Sequence, residues 1–257
     1  MPIVTLTSDF GLKDYYVGLL KGALLSEDEQ LNIVDISHNV DVYDIVQGAF
    51  ILKNCFSAFP LGTVHIISIN NYGVKKPCFL AVRYAGHFFI GPDNGIFSLL
   101  FDKIGPGDVY ELDFQSSTSF PIKDIFAKAV RHITGGMPFN EIGFPLDAIE
   151  ERISFQPVVS TSQIRGTVVH IDNYENVITN ISRISFDRVA DGRSYSIYYK
   201  RRNPINQLSE YYNDVPVGEI LSFFNSSGYL EIAINMGKAS SLLSLNVEDT
   251  IQIDFHN

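Results

Sequence analysis

The chain has 257 residues, of which 46% are hydrophobic and 19% are charged, and its formal net charge is −10. This length and composition predict a globular protein with a sizeable core, built as one large domain or two ordinary ones. The acidic balance argues against a nucleic-acid partner, because a phosphate backbone is bound by a basic patch.

The N-terminus and the cysteines indicate the compartment. The first residues, MPIVTLTSDFG, lead into a predicted strand without a basic region or a long apolar run, so we expect no signal peptide. No apolar run reaches about 18 residues, and we expect no membrane-spanning helix. Cys55 and Cys78 lack the spacing of a metal or redox motif. A cytoplasmic protein without a metal or a cofactor is therefore expected.

Strands and helices alternate along the first part of the chain. Apolar residues recur at helical spacing from 14 to 25, and Gly135-Gly136 stops a later helix. The patterns predict strands at 3–7, 31–36, 61–69, 79–83 and 87–90, and helices at 14–25, 44–56 and 124–134. This alternation predicts an α/β N-terminal domain, residues 1–157, with a mostly parallel sheet covered on both faces.

The pattern changes after residue 145. Prolines and few periodic apolar residues predict a linker from 145 to 163, with a domain boundary near 155–164. Short strands are predicted at 166–171, 195–199, 219–224, 230–235 and 250–255. We therefore predict a smaller all-β C-terminal domain, residues 164–257.

Two acids follow the first predicted strand. Asp9 and Asp14 flank the first helix, where an acid can cap the helix or suit its dipole. Alternatively, both carboxylates stand at the carboxyl end of a strand, where ligands bind in open α/β sheets. One could then accept hydrogen bonds from a ribose diol, while the other faces an ammonium or a sulfonium.

The next two strand ends carry weaker candidates. His38 follows the second strand and is either a base or a hydrogen-bonded structural residue. Tyr43, just beyond it, either lies over a flat ring of a ligand or packs against the protein. After the third strand, Asn70-Asn71-Tyr72-Gly73 offers two amides but no acid, base or nucleophile. This turn is a binding loop, a plain turn, or an active site without its reactive groups. The chain lacks the motifs GxGxxG, GxxxxGK[ST], HExxH and GxSxG. A dinucleotide-binding protein, an NTPase, a zincin and an α/β-hydrolase are therefore less favoured.

A second polar segment lies in the predicted C-terminal domain. Asp172, Tyr174 and Asn176 follow a strand, and they either form an ordinary hairpin turn or present an acid, a ring and an amide to a ligand. The segment Asn225 to Gly228 is typical of a turn.

Six segments occur in a recognisable order: TLTSDFGLKDYYVGLLKG, VDISHNVDVYDIVQGAF, FPLGTVHI, FIGPDNGIF, IDNYENVITNI and NSSGYLEIAINMGKA. Together they resemble the S-adenosylmethionine hydroxide adenosyltransferase family, which is related to the fluorinase and chlorinase enzymes, over nearly the whole chain. The resemblance implies a homotrimer whose ligand lies between the N-terminal domain of one subunit and the C-terminal domain of its neighbour. Hydrolytic members convert S-adenosylmethionine and water into adenosine and methionine, and S-adenosylmethionine is substrate rather than cofactor.

The resemblance also implies a set of ligand-binding residues. Asp9 matches the acid on the ribose hydroxyls, Asn176 matches the amide on the adenine edge, and Tyr43 matches an aromatic position beside the ligand. The remaining matches are Asp14 and Asp172 near the methionine end, Tyr211 for stacking on the base, and Ser226 in the Asn-Ser turn.

The family's catalytic Asp, Arg and His positions differ in this chain. The family's VDPGVGTxRR is INNYGVKKPC here, which places Asn70, or Asn71 after a shift of one, at the Asp and Pro77 at the Arg. The family's FHGRD becomes FPIKD, with Pro121 at the His. Asparagine cannot act as a base but can hold a water by hydrogen bonds. Lys75 or Lys76 could replace the arginine charge, without its bidentate fork.

Three hypotheses follow. The chain is a hydrolase of the family type that uses Asn70 and Asn71 to position water, or a non-catalytic S-adenosylmethionine- or adenosine-binding sensor or scaffold. A third, weaker hypothesis is the same displacement with a halide as the nucleophile.

Overall fold

The computed structural model describes residues 1–72, 77–105, 107–116, 118–153, 156–200 and 203–256. The chain divides into two compact units, Met1–Ile153 (unit 1) and Ser154–Asn257 (unit 2). None of the helices in these described ranges combines the length and apolar character needed to cross a bilayer.

Unit 1 is an α/β unit built on one mixed sheet. Its strands stand in the order β2-β1-β3-β5-β4-β6-β7, and β2, β1, β3 and β5 are parallel. Strand β4 is antiparallel to both β5 and β6, and β7 is antiparallel to β6, so five of these seven strands share one direction. The predicted mostly parallel sheet is confirmed. The elements are β1 Ile3–Ser8, α1 Tyr16–Glu27, β2 Asn32–Ser37, α2 Ile45–Lys53, β3 Val64–Ser68, β4 Phe79–Tyr84, β5 His87–Pro92, α3 Ile96–Leu100, β6 Val109–Leu112, α4 Pro121–Thr134 and β7 Gly143–Pro145.

Helices cover both faces of this sheet. Every residue of β3 is buried, as is typical of a central parallel strand. Its Val64 and Ile66 pack with residues of α1 and α4, while Ile67 packs with residues of α2 and α3. Since β1 leads to β2 on one side and β3 lies on the other, the chain reverses its direction of winding between β1 and β3. In an open α/β sheet this reversal opens a crevice at the carboxyl ends of the two strands.

Helix boundaries in unit 1 differ from the prediction at α1, α2 and α4. Helix α2 ends at Lys53, three residues before the predicted end. Helix α1 begins at Tyr16 after Tyr15, with no side-chain cap and no acid in its first turn. Neither Asp9 nor Asp14 therefore caps it. Helix α4 begins at Pro121, three residues before the predicted start, because proline at the first helical position has a suitable fixed φ and loses no hydrogen bond. The short elements α3, β6 and β7 were not predicted.

Unit 2 is an antiparallel β half-barrel with the strand order β11-β14-β9-β10-β13-β12, and β8 pairs with β9. It also contains two short helices, which an all-β prediction omits. Helix α5 starts where Ser182 caps the backbone N–H of Ser185, and it buries Phe186 and Val189. The predicted linker contains β8 and the first residue of β9. The elements are β8 Val158–Val159, β9 Gln163–Ile171, β10 Val177–Ser182, α5 Arg183–Ala190, β11 Ser194–Tyr199, β12 Ile220–Phe224, β13 Tyr229–Ile234, α6 Ala239–Leu243 and β14 Thr250–His256.

Candidate functional site

A cleft of about 440 Å³ opens in unit 1 beyond the carboxyl ends of β1 and β3. Ser8 and Ser68 are the last paired residues of these parallel strands, so the segments that follow them diverge from the same edge. The volume lies within the range of small-molecule sites. Of the predicted residues, the cleft brings together Asp9, Tyr43, Asn70 and Asn71. The described lining is Asp9, Phe10, Tyr16, Val42, Tyr43, Asn70, Asn71, Tyr72, Ser119, Phe120 and Ile122.

Asp9 holds two loops of the cleft through their backbones. Its Oδ2 atom accepts hydrogen bonds from the backbone N–H of Tyr43 at 3.0 Å and of Asn70 at 3.2 Å. Both donors are in the left-handed region, with φ of 70° and 48°. Such backbone is strained for side chains other than glycine, although asparagine tolerates it better than most. Among the described residues no hydrogen-bond donor is paired with Asp9 Oδ1, so this oxygen can accept from a ligand.

A series of polar contacts runs from the buried Ser8, the neighbour of Asp9, through the buried His38 to the exposed Asp35. Ser8 Oγ is 2.7 Å from His38 Nδ1, and His38 Nε2 is 3.0 Å from Asp35 Oδ1. Lys21 donates to Asp35 Oδ2 at 2.6 Å. Burial raises the pKa of Asp35, but the hydrogen bonds from Lys21 and His38 outweigh burial and the net pKa is lowered.

His38 is a structural residue of this chain rather than a base in the cleft. Its side chain is buried, and its backbone carbonyl accepts a hydrogen bond from the N–H of Gly11 at 2.7 Å. His38 therefore holds the segment that contains Asp9 on both sides of that residue, at Ser8 and at Gly11.

The Asn70-Asn71 turn is held in place by side chains from the edge of the sheet. Asn94 Nδ2 donates to the carbonyls of Ile69 and Asn70, at 2.9 and 3.1 Å. Ser68 Oγ donates to Asn71 Oδ1 at 3.2 Å, and Asn71 is almost fully buried. The turn is thus a fixed part of the cleft, and it presents amide groups rather than an acid or a base.

Aromatic rings form one wall of the cleft. The ring centroids of Phe10, Tyr16 and Phe120 lie 5.3 to 6.1 Å from one another. A hydrogen bond with Tyr15 is the largest cause that raises the pKa of Tyr16, and burial raises the pKa of Tyr72. These tyrosines stay neutral near pH 7 and offer π faces, which attract cations.

Several predicted residues lie away from the described lining. Asp14 is exposed in the segment before α1, and Pro77 is exposed. Pro121 begins α4 between two lining residues but does not line the cleft itself. Lys75 and Lys76 fall outside the described residues. Asp9 is the one carboxylate in the described lining. The other ionisable groups of that lining are tyrosines.

In unit 2, the predicted residues of the β9–β10 hairpin form a compact turn. Asp172 Oδ1 accepts hydrogen bonds from the backbone N–H of Tyr174 at 2.9 Å and of Asn176 at 2.8 Å. This is the local bonding that Asp supplies in turns, so the hairpin interpretation holds. Tyr174 is 74% exposed, and its ring is free to meet a ligand or a partner.

The Asn176 side chain reaches beyond the hairpin. Its Nδ2 atom donates to Asp172 Oδ2 at 3.0 Å and lies 3.4 Å from the Tyr212 hydroxyl. Tyr212 is thus the tyrosine next to Asn176. Tyr211 is 64% exposed and precedes the short helical turn Tyr212–Asp214. Ser226 is exposed in the turn between β12 and β13.

Sequence reasoning missed a buried carboxylate in this cluster. Glu231 on β13 is 3% exposed, its Oε1 accepts from the Tyr212 hydroxyl at 2.7 Å, and its Oε2 accepts from Asn225 Nδ2 at 3.1 Å. Burial raises the pKa of Glu231, while the bonds from Tyr212 and Asn225 lower it in part. Burial, followed by the bond to Glu231, raises the pKa of Tyr212. The sequence signal that could have revealed Glu231 is an acid inside the otherwise apolar strand YLEIAI. We call Asp172, Asn176, Tyr212, Asn225 and Glu231 the unit 2 cluster.

The described residues contain no group of three or more His, Cys, Asp or Glu side chains arranged to hold a metal ion. The described side chains of the two sites supply carboxylate, amide and aromatic groups.

Comparison with known proteins identifies relatives over the whole length. The profile of the SAM hydroxide adenosyltransferase N-terminal domain matches residues 4–143, and that of the C-terminal domain matches residues 166–252. A Methanocaldococcus jannaschii protein named (R)-S-adenosyl-L-methionine hydrolase is 29% identical, over 98% of this chain and 96% of its own. A Nocardia brasiliensis fluorinase is 25% identical, over 98% of this chain and 96% of its own. The crystal structure of an uncharacterized conserved protein from Thermotoga maritima matches with a TM-score of 0.87 and 28% identity, over 99% of this chain and all 100% of that one.

Proposed function

Because the chain belongs to the SAM hydroxide adenosyltransferase family, we propose that it binds S-adenosylmethionine in the cleft of unit 1 and transfers the adenosyl group to water. The observation that carries this proposal is the position of Asp9, which lines a cleft of suitable volume where β1 and β3 end and whose two hydrogen bonds to described residues both use Oδ2. A carboxylate acceptor in this position fits the hydroxyls of a ribose.

The aromatic wall suits the charge of the ligand. A sulfonium carries a positive charge without N–H donors, so it is recognised by π faces and by nearby carboxylates rather than by a bidentate partner. Phe10, Tyr16 and Phe120 supply the rings, and the cleft contains no cationic side chain among its described lining residues.

The reaction makes modest demands on the protein. The water oxygen forms a bond to C5′ of the ribose while the C5′–sulfur bond breaks, and the electron pair of that bond remains on sulfur. Methionine departs as a neutral thioether, so no general acid is required, and the attacking water finally releases a proton to solvent. In-line positioning and removal of bulk water supply most of the acceleration in such a displacement. In this proposal Asn70 and Asn71 hold that water by hydrogen bonds.

A second function is favoured by the same cleft. By resemblance, Asn70, Pro77 and Pro121 occupy the positions of the family's Asp, Arg and His. Asp9 is the sole carboxylate of the described lining, and two backbone N–H groups already bind its Oδ2. These features favour a non-catalytic protein that binds S-adenosylmethionine or adenosine as a sensor or a scaffold.

The remaining assignments extend this proposal. As the resemblance implies, we assign Asp14 and Asp172 to the methionine end, Asn176 to the adenine edge, and Tyr211 and Ser226 to further ligand contacts. From its place in the polar turn after β9, we assign Tyr174 to the ligand as well. The implied homotrimer, with its sites at subunit interfaces, is supported by exposed apolar side chains on and beside the cleft rim, since patches of this kind mark interaction surfaces. They are Leu12, Tyr15, Val42, Tyr43 and Val46, each more than half exposed.

Turnover discriminates between the two functions. Full-length protein is incubated with excess S-adenosylmethionine, and adenosine and methionine are followed by chromatography against a protein-free control. More than one equivalent of product per subunit supports the hydrolase, whereas confirmed binding without product supports the sensor or scaffold. If neither S-adenosylmethionine nor adenosine binds, both functions are contradicted.

A gain-of-function variant sharpens the same test. The double variant Asn70→Asp, Pro121→His restores two of the family's residues, and a gain of turnover over an inactive wild type would support the non-catalytic function. Asp147→Ala, which removes an exposed acid of unit 1 outside the cleft, is the matched control and should behave as wild type.

A further inference from the structure

The hydrogen bonds of the unit 2 cluster determine which way the Asn176 amide faces. The chain of donors starts at Asn225, whose Oδ1 accepts from the backbone N–H of Ser227 and of Tyr229, which leaves its Nδ2 as the group facing Glu231. Glu231 Oε2 is therefore an acceptor, and the ionised carboxylate accepts at Oε1 as well. The single proton of the Tyr212 hydroxyl points at Glu231 Oε1, at 2.7 Å.

This arrangement leaves the Tyr212 oxygen as an acceptor toward Asn176. Asp172 Oδ2, at 3.0 Å from Asn176, is also an acceptor. The side-chain group of Asn176 that faces these two oxygens must be the NH₂ group, because its carbonyl oxygen would be repelled by both. The carbonyl oxygen Oδ1 of Asn176 is then the group left over for a ligand, and it can only accept.

We propose that Asp172, Tyr212 and Glu231 lock the polarity of Asn176, so that the site selects a purine that carries an exocyclic amino group. This proposal rests on the proposed function, which places the adenine edge at Asn176. Asn176 contacts the base, and the other three residues are positioning residues that act through it. The Oδ1 atom of Asn176 accepts a hydrogen bond from an N–H of the 6-amino group. A purine that lacks this group leaves Oδ1 unpaired.

Burial strengthens the lock. Asn176 is 5% exposed and Glu231 is 3% exposed, so little water is available to replace a missing partner. A nearly buried acceptor without a donor costs about 1–3 kcal/mol, which corresponds to roughly 5- to 150-fold in affinity. Sites built to hydrogen-bond a ligand group reject the analogue without it for this reason.

The test compares adenosine with purine riboside, which differs only by the missing amino group. Calorimetric titration of the full chain gives the ratio of the two dissociation constants, purine riboside over adenosine. For the wild type we expect a ratio of about 10 or more. Neither nucleoside has a methionine part, so any separate contact of Asp172 with methionine leaves the measurement unaffected.

Three variants change the lock at different points. Asp172→Asn can turn an NH₂ group toward Asn176 and favour the flipped amide, so the ratio should fall to about 1–2. Tyr212→Phe keeps the ring against Phe223 but removes one acceptor, and Glu231→Gln lets the Tyr212 proton turn toward Asn176. Each of these two should lower the ratio to about 3, since Asp172 still holds the amide. Tyr198→Phe on β11 is the control, with an unchanged ratio.

The outcomes separate the lock from the proposed function. Equal affinity of the wild type for both nucleosides overturns the lock without any variant, and so does a ratio that Asp172→Asn and Tyr212→Phe leave unchanged while circular dichroism shows them folded. A purely structural role for these residues would weaken both nucleosides alike and leave the ratio constant. If the wild type binds neither nucleoside nor S-adenosylmethionine, the proposed function fails and the lock fails with it.

Discussion

The two units hold their polar site residues by different means. In unit 1, Asp9 is bonded to backbone N–H groups of two left-handed residues, Tyr43 and Asn70. In unit 2, Asn176 is held by side chains that end at the buried Glu231. A site fixed through the backbone tolerates a change of side chain if the new residue accepts the same φ and ψ. A site fixed through side chains is weakened by the loss of any one member. Unit 1 can therefore change its chemistry more easily than unit 2.

The units also bury titratable groups of opposite charge type. Unit 1 buries His65 and His87, with His65 Nε2 3.2 Å from His87 Nδ1 and Thr5 Oγ1 2.7 Å from His65 Nδ1. Unit 2 buries Glu231. Because burial disfavours the charged form, histidine is disturbed by acid and glutamate by base. The two units should respond to pH in opposite directions at these groups.

The largest expected effect is the acid sensitivity of unit 1. Burial, followed by the charge of His87, lowers the pKa of His65 from 6.5 to about 3. The unfolded chain binds the proton more readily, so this contribution to stability is complete above pH 6.5 and is lost as the pH falls toward 3. The shift corresponds to about 5 kcal/mol at most. His65→Gln removes the titration, and its unfolding free energy should vary less with pH over this window.

Local fluorescence can assign this transition to one unit, because the chain contains no tryptophan. Phe114→Trp reports on unit 1 and Tyr198→Trp on unit 2. His256→Gln, which removes an exposed histidine of unit 2, controls for the loss of one histidine and should leave the acid transition of unit 1 in place. If His65→Gln and the wild type lose stability in parallel between pH 6.5 and 4, the buried histidine is not the cause.

The second effect concerns Asp9. Asp9→Ala removes an acceptor of two backbone N–H groups as well as the proposed ribose contact, and hydrogen bonds to charged groups contribute about 1.5–3 kcal/mol each. We expect adenosine binding to weaken by about 100-fold, measured by calorimetry. Asp9→Asn keeps an acceptor without the charge and should give about a tenfold loss, while Asp147→Ala keeps the wild-type affinity. Unchanged affinity of the alanine variant would remove Asp9 from the site.

The third effect separates the backbone of Asn70 from its side chain. Asn70→Val places a β-branched residue at a φ of 48°, which costs about 1–2 kcal/mol, whereas Asn70→Gly adopts this conformation freely. Adenosine binding should weaken about tenfold in the valine variant and stay within about threefold in the glycine variant. If the wild type turns over S-adenosylmethionine and the glycine variant binds but does not, the side-chain amide of Asn70 holds the water. Equal loss of binding in both variants would instead assign the binding role to the side chain.

The positions of these residues show what the sequence could reveal. Continuous apolar runs mark β1 and β3, and the rule that ligands bind beyond parallel strand ends brings Asp9 and Asn70 to one edge. Local patterns nevertheless suggested that Asp9 caps α1. Its true partners, Tyr43 and Asn70, lie 34 and 61 residues away, and no local pattern contains bonds of that range.

The same reason explains what was missed in unit 2. Glu231 meets Tyr212 across 19 residues, and Tyr212 meets Asn176 across 36. The strand β10, which follows Asn176, was not predicted, so its pairing with β13 could not be used to place the two residues together. Short elements such as α3, α5 and α6 carry too few periodic residues to be distinguished from turns.

The smallest expected effect is the pH response of unit 2, and it completes the comparison. The raised pKa of Glu231 means that the folded state binds the proton more readily than the unfolded chain, so stability is highest below the ordinary value of 4.5. It falls as the pH rises from 4.5 through the raised value. The decline should be smaller than the histidine effect, because the bonds from Tyr212 and Asn225 support the charged carboxylate. Glu231→Gln should abolish this decline in the fluorescence of the Tyr198→Trp reporter. If unit 2 instead loses stability as the pH falls through the same window, and Glu231→Gln removes that loss, the buried carboxylate is stabilised in its charged form and the proposed contrast between the units is wrong.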